Sequence, residues 1–107
     1  MAEARLIVLY PHPTDTKQFD QDYSEHLKLL HEKLKLPERD RPYTVTRFLQ
    51  TPTGKADYYQ MFVFPFPSQD ASQQVLKSPA MAELAADAAR ISTGGAPVLM
   101  AGTEVTY

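Results

Sequence analysis

Three short segments of this 107-residue chain are apolar at almost every position: RLIVLY at 5–10, YYQMFVF at 58–64 and PVLMA at 97–101. Each is rich in branched or aromatic residues and ends at proline, glycine or polar residues, which is typical of β-strands. Successive side chains of a strand point to opposite faces of its sheet, so these strands are apolar on both faces. The sheet that they form must therefore be covered on both sides.

Two other segments have apolar residues at every third or fourth position, which predicts helices. The first begins at Asp15, a helix cap with Gln18 three residues on as in a capping box, and ends before the Leu-Pro pair at 36–37. The second begins at the Ser-Pro pair at 78–79 and stops at the glycines of STGG, 92–95. Both helices thus have start and stop signals in the sequence.

The alternating segment YTVTRFLQ (43–50) predicts a second strand, joined to YYQMFVFPF by the turn TPTGKAD (51–57). A short helical stretch at 68–77 precedes the last helix, and PVLMAGTEV (97–105) is the last strand. The order is β-α-β-β-α-β. This predicts an α+β, ferredoxin-like fold, a four-stranded antiparallel sheet with two helices on one face, as a single domain over residues 1–107.

Two helices cover only one face of such a sheet. In the third strand, one face carries Tyr59, Met61 and Val63, and the other face is also apolar. An exposed apolar face of that size exceeds what monomeric proteins usually show. We therefore predict a homodimer that packs sheet against sheet about a two-fold axis. A stray tail or a partner of another kind is the alternative.

Charge and composition exclude several classes of function. The formal net charge is -2 and no basic face is apparent, so we expect no nucleic-acid binding. The absence of cysteine excludes disulfides, thiolate metal sites and a cysteine nucleophile. The apolar run at 6–10 is too short for a secretory signal or a membrane span. We expect a cytoplasmic protein that does not associate with membranes.

The helix segment DYSEHLKLLHEKL (22–34) contains two histidines. At about 100° per residue, His26 falls roughly 20° from Phe19 at the rim of the apolar stripe, whereas His31 falls roughly 120° away. We expect His26 in the cleft between helix and sheet, one turn after Tyr23, and His31 toward solvent. His26 is either a functional acid-base group or a packing residue that donates to a backbone carbonyl; spacing alone leaves both open.

No metal or cofactor is expected. His26 and His31 are five residues apart, about 140° around the helix, whereas helical ligand pairs are separated by three or four residues. Only His12, in the turn after the first strand, could join His26. No third feature marks either helix histidine as a haem ligand.

Two blocks of the sequence, LIVLYPHPTDTKQFDQDYSEHLKLLHEKL (6–34) and SPAMAELAADAARISTGGAPVLMAG (78–102), resemble the EthD family. The family is named after an operon for ethyl tert-butyl ether degradation. The shared features are Phe19, a Tyr-x-x-His signature at Tyr23 to His26, and the glycine-closed last helix. Where many members have a proline soon after the histidine, this chain has Leu27 to Leu30, and it adds His31.

The resemblance implies a dimeric α/β barrel and places the candidate catalytic residues at His26 and Tyr23. Related barrels include cofactor-free monooxygenases, small isomerases and haem enzymes. The implied function is that of a small dimeric protein of catabolic pathways, acting by acid-base or oxygen chemistry on a small apolar substrate, with oxidoreductase activity as one form. The alternative is a non-catalytic dimeric binding or accessory protein.

Overall fold

A computed structural model describes residues 4–107, and its elements follow the predicted order. The four strands form one antiparallel sheet in the order β2-β3-β1-β4. The α+β, ferredoxin-like prediction is confirmed. The elements are β1 (Ala4–Pro11), α1 (Thr16–Lys33), β2 (Thr44–Arg47), β3 (Tyr58–Phe66), α2 (Gln69–Leu76), α3 (Pro79–Ile91) and β4 (Val98–Thr103).

The start of α1 is set by its predicted cap. The Asp15 carboxylate accepts a hydrogen bond from the Gln18 backbone N–H at 3.1 Å. The Gln18 amide donates to Asp22 at 2.9 Å and does not return to the cap, so only half of the capping box forms. The helix ends at Lys33, earlier than predicted, because Lys35 adopts a left-handed conformation (φ 56°) before the proline is reached.

The start of α3 is set by the Ser78 hydroxyl, which accepts from the Met81 N–H at 3.2 Å. After α3, the STGG segment packs onto the end of β1. The Thr93 hydroxyl accepts from the Thr14 N–H at 3.1 Å. A Cβ on Gly94 would lie 1.7 Å from the His12 carbonyl oxygen. The segment therefore ends a helix, as predicted, and also holds that helix against the sheet.

The core lies between one sheet face and the helices. The edge strands β2 and β4 are shorter than predicted. No helix among residues 4–107 is long and apolar enough to cross a membrane. The buried apolar residues are Ala4, Leu6, Val8, Tyr10, Phe19, Tyr23, Leu30, Phe62, Phe64, Phe66, Met81, Leu84, Ala88 and Ile91.

The opposite sheet face, called the outer face below, is defined by six apolar side chains that are neighbours in the strand register. All are half-buried or exposed, and no element of the described chain covers them. The prediction that both faces are apolar therefore holds for the central strands. The six residues are Ile7, Leu9, Met61, Val63, Val98 and Met100.

Tyr59 does not join the outer face, contrary to the alternation expected of β3. The pairing of β1 with β3 shifts register between Tyr10 and Pro11, opposite the start of β3. The Tyr59 ring instead lies 5.5 Å from that of Phe19, and its hydroxyl donates to Asp20 at 3.1 Å. The irregularity thus turns one aromatic residue toward α1.

Candidate functional site

His26 is buried more deeply than its position on the helix rim predicts, with only 6% of its surface exposed. Its Nδ1 lies 2.8 Å from the Oδ2 atom of Asp87, on α3. An ionised carboxylate can only accept, so Nδ1 carries the proton of this hydrogen bond. The partner of His26 is therefore a carboxylate, and not the backbone carbonyl of the packing interpretation.

Asp87 is held in its ionised form. Burial raises the pKa of its carboxyl, but hydrogen bonds and charges from His26 and Arg90 outweigh burial and lower the pKa. Arg90 donates from Nε to Oδ1 at 2.9 Å, while His26 occupies Oδ2. Both carboxylate oxygens thus have donors, and the carboxylate fixes the orientation of the imidazole ring.

A cavity of about 30 Å³ lies between α1, α3 and the sheet, and His26 is one of its lining residues. No hydrogen bond joins Nε2 of His26 to another atom of residues 4–107. The cavity has room for about one water molecule, and Leu99, 42% exposed, borders it at the edge of the sheet. The walls are Leu6, Val8, Tyr10, His26, Leu30, Phe62, Met81, Leu84, Ala85, Ala88 and Leu99.

Tyr23 and His26 lie side by side as predicted, with stacked rings whose centroids are 5.8 Å apart. The Tyr23 hydroxyl is buried without a hydrogen-bond partner among the described residues, and Tyr23 is not a wall of the cavity. Burial raises its pKa. The structure therefore places the Tyr23 ring against the imidazole, and its catalytic role stays a prediction.

The tyrosine that does line the cavity is Tyr10, at the end of β1. Its ring packs edge-on against Tyr23 at 5.5 Å. Burial raises the pKa of Tyr10, and the charge of Asp87 raises it further. Its hydroxyl therefore stays protonated. From the sequence Tyr10 was only a member of the apolar first strand, and its place at the cavity of His26 follows from the packing of α1 on β1.

The prediction that His31 lies toward solvent is wrong. His31 is half-buried, with Nδ1 3.1 Å from the Pro37 carbonyl oxygen and Nε2 2.7 Å from the Tyr43 hydroxyl. The residues between α1 and β2 fold back over this side of the helix, which angular position on an isolated helix does not reveal. His31 thus fastens the α1–β2 connection to α1.

The third histidine, His12, makes its hydrogen bond away from both histidines of α1. His12 Nε2 lies 2.7 Å from the Ala56 carbonyl oxygen in the β2–β3 connection. Within residues 4–107, no group of three or more His, Asp or Glu side chains is placed to hold a metal ion.

Asp87 is the site residue that the sequence analysis missed. Its hydrogen-bond partner is 61 residues away, so no local motif marks the pair. One signal was available: on α3, Asp87 lies roughly 40° beyond Ile91, at the edge of the apolar stripe. A carboxylate at that rim, like the imidazole at the rim of α1, indicates a polar contact between the two helices.

Models of known protein families and the curated proteins give no match to this chain. Several solved structures match this chain. An EthD family protein from Bacillus halodurans C-125 shares 27% identity, with 98% of this chain and 100% of that chain covered and a TM-score of 0.79. This match confirms the resemblance to the EthD family.

Two more distant structures share the fold. A hydroxynitrile lyase from Passiflora edulis is 16% identical, covering 98% of this chain and 95% of its own, with a TM-score of 0.69. A dimeric ferredoxin-like protein of unknown function from Thermobifida fusca YX is 15% identical, covering 96% and 92%, with a TM-score of 0.61. At these identities the likeness concerns the fold alone.

Proposed function

We propose that this EthD-like chain is a small homodimeric enzyme that uses His26 as a general base, without a cofactor, on a small apolar carbonyl compound. The observation that carries the proposal is the buried hydrogen bond from His26 Nδ1 to Asp87, which leaves Nε2 without a hydrogen-bond partner among residues 4–107 on a residue that lines an apolar cavity. A general base needs an available lone pair and a partner that stabilises the charge it acquires. Asp87 supplies that partner.

The arrangement supports proton removal from carbon. With the proton on Nδ1, the neutral imidazole presents a lone pair at Nε2. The Asp87 carboxylate stabilises the imidazolium that forms when Nε2 takes a proton, as in other His–Asp pairs. Tyr10 lines the same cavity as a protonated hydroxyl and can donate to the oxygen on which negative charge develops. Isomerisation and cofactor-free oxygenation both begin with such a proton removal.

The size of the cavity favours a second candidate function, that of a non-catalytic binding or accessory protein. A space of about 30 Å³ does not hold an organic substrate. For catalysis, the walls at the sheet edge must move. Leu99 is 42% exposed there, and Met81 has an unbranched side chain that changes rotamer readily. If these walls stay closed, the His26–Asp87 contact only joins α1 to α3.

The outer face supports the proposed homodimer. Its six apolar side chains form a continuous patch over three strands, and a second copy would cover both patches at once. Some solved structures of the same fold are described as dimeric. A small apolar ligand and a cytoplasmic location remain predictions of the sequence.

Deuterium exchange at carbon tests the proposal without a known substrate. The probes are cyclohexanone, acetophenone and phenylacetaldehyde in D₂O, with exchange next to the carbonyl followed by proton NMR. We expect the protein to accelerate exchange of at least one probe. His26→Gln should reduce that rate on the order of 100-fold or more. His12→Gln, at a histidine bound elsewhere, should leave it unchanged.

Two results would contradict the proposal. One is an absence of acceleration with all three probes, which favours the binding or accessory function. The other is an exchange rate that His26→Gln does not alter while circular dichroism shows the variant folded, which would place the base elsewhere.

A further inference from the structure

A second cavity, of about 410 Å³, lies between α1 and the residues that connect it to β2. It shares no lining residue with the cavity at His26. Its volume is within the range of pockets that bind small molecules. The lining residues are Ser24, Leu27, Lys28, His31, Glu32, Leu36, Glu38, Arg41 and Tyr43.

His31 determines that the Tyr43 oxygen acts as a hydrogen-bond acceptor in this pocket. Nδ1 faces the Pro37 carbonyl oxygen at 3.1 Å, and a carbonyl can only accept, so Nδ1 carries a proton. Nε2 of the neutral ring is then an acceptor, and the Tyr43 hydroxyl donates to it at 2.7 Å. With its one proton committed to His31, the Tyr43 oxygen has only lone pairs left to offer.

The short bond strengthens that acceptor. Donation to an imidazole polarises the phenol O–H and increases negative charge on the oxygen, as in other hydrogen-bond chains. Burial raises the pKa of Tyr43, so the hydroxyl keeps the proton that it donates. A molecule that meets this oxygen gains a hydrogen bond only if it brings an O–H or N–H.

The other lining residues favour a ligand that has an apolar or aromatic ring and no net charge. Leu27 and Leu36 supply apolar surface, and the Tyr43 ring adds an aromatic wall. Of the charged lining residues, two are cationic and two are anionic, so their formal charges cancel. They are Lys28, Arg41, Glu32 and Glu38.

We infer that this pocket binds a small neutral aromatic molecule that carries an O–H or N–H donor, with the donor on the Tyr43 oxygen. The site is independent of the proposed chemistry at His26, so either can exist without the other.

Phenol and anisole are matched probes for this inference, because they share a ring but only phenol can donate. In ¹⁵N-labelled protein, phenol should shift the backbone amides of residues 24–43 saturably. Anisole should bind the same amides roughly three- to tenfold more weakly, since it lacks the donor. Equal affinity for both probes, or phenol shifts outside 24–43 only, would overturn the inference.

Tyr43→Phe removes the acceptor and keeps the ring, which packs on Phe62 at 5.4 Å and on Phe64 at 6.4 Å. The same change leaves His31 Nε2 without its donor, and that nitrogen could accept from phenol in its place. The test variant is therefore Tyr43→Phe/His31→Leu, in which the preference for phenol should disappear. Tyr107→Phe, at a fully exposed tyrosine, should preserve it. A preference retained in the folded double variant would overturn the inference. The two-probe comparison in the unaltered protein needs no variant, so it decides the matter even if the double variant does not fold.

Discussion

Both histidines of α1 have an oxygen atom at Nδ1, but the chemical group that supplies the oxygen differs. Each has an oxygen atom facing Nδ1, Asp87 for His26 and the Pro37 carbonyl for His31, and each oxygen fixes the proton on that nitrogen. The carboxylate carries a full charge and stabilises the imidazolium form, whereas the carbonyl has only a dipole. His26 is therefore suited to take up a proton, and His31 to hold a neutral hydrogen-bond chain.

Asp87 should make part of the protein's stability dependent on acid pH. Burial opposes ionisation of its carboxyl, but contacts with His26 and Arg90 lower its pKa overall below the ordinary value of 3.8. A carboxyl with a lowered folded-state pKa stabilises the fold above its unfolded pKa, and this stabilisation is lost as the pH falls through the folded value. Asp87→Asn should thus be most destabilising near neutrality, and its difference from wild type should shrink below about pH 4.

Urea unfolding from about pH 3 to pH 7 measures this difference. Asp57→Asn, at an exposed carboxylate, is the control and should show a small and nearly constant difference. A difference between Asp87→Asn and wild type that is the same at both ends of the pH range would show that Asp87 has no lowered pKa in the folded protein.

The sequence predicted residues whose partners are local and missed those whose partners are distant. Tyr23 beside His26 follows from helix spacing, since the two are one turn apart. Asp87 and Tyr43 reach the histidines only after α3 and the α1–β2 connection pack against α1. Angular position on one helix therefore predicts that His26 faces the core, but it identifies neither Asp87 nor Tyr43 as a partner.

At the scale of elements, the starts of the helices are the most predictable features. Asp15, Ser68 and Ser78 each accept a hydrogen bond from an N–H three residues later, a contact that sequence spacing encodes directly. The ends of elements depend on tertiary contacts. The register shift at Tyr10, which turns Tyr59 toward α1, is an example that strand alternation could not reveal.

The segment after α3 allows a sharp test at this scale. In Gly94→Ala, the new Cβ would meet the His12 carbonyl oxygen at 1.7 Å, so the backbone of one segment must move. We expect a loss of at least about 2 kcal/mol in unfolding free energy. Gly102→Ala, where a Cβ meets nothing within 4 Å, should change stability by less than about 0.5 kcal/mol.

Chemical denaturation of the two glycine variants measures both effects. Equal stability of Gly94→Ala and Gly102→Ala would mean that the segment after α3 does not pack tightly against the end of β1.

At the scale of the whole molecule, the outer face predicts self-association. Light scattering should give about twice the chain mass of 12.1 kDa. Met100 is 43% exposed in the single chain, so Met100→Asp should be tolerated by the fold. In a sheet-to-sheet dimer the new carboxylate would be buried without a partner, which costs roughly 3–5 kcal/mol, and the dimer should dissociate.

Val45→Asp is the matched control, because Val45 is 42% exposed but belongs to the other sheet face, opposite Phe62. It should leave the dimer intact. A wild-type protein that is monomeric at all concentrations would refute the sheet-to-sheet dimer, and so would a Met100→Asp variant that remains dimeric.

The position of the proton on His26 decides whether this residue can act as a base. Long-range ¹H–¹⁵N NMR at about pH 8, where an ordinary imidazole is neutral, distinguishes the two ring nitrogens. We expect a proton on Nδ1 and none on Nε2 in the wild-type protein, and loss of that preference in Asp87→Ala, which removes the carboxylate. A proton on Nε2 in the wild-type protein would contradict the hydrogen bond to Asp87, and with it the role of His26 as a base at the cavity.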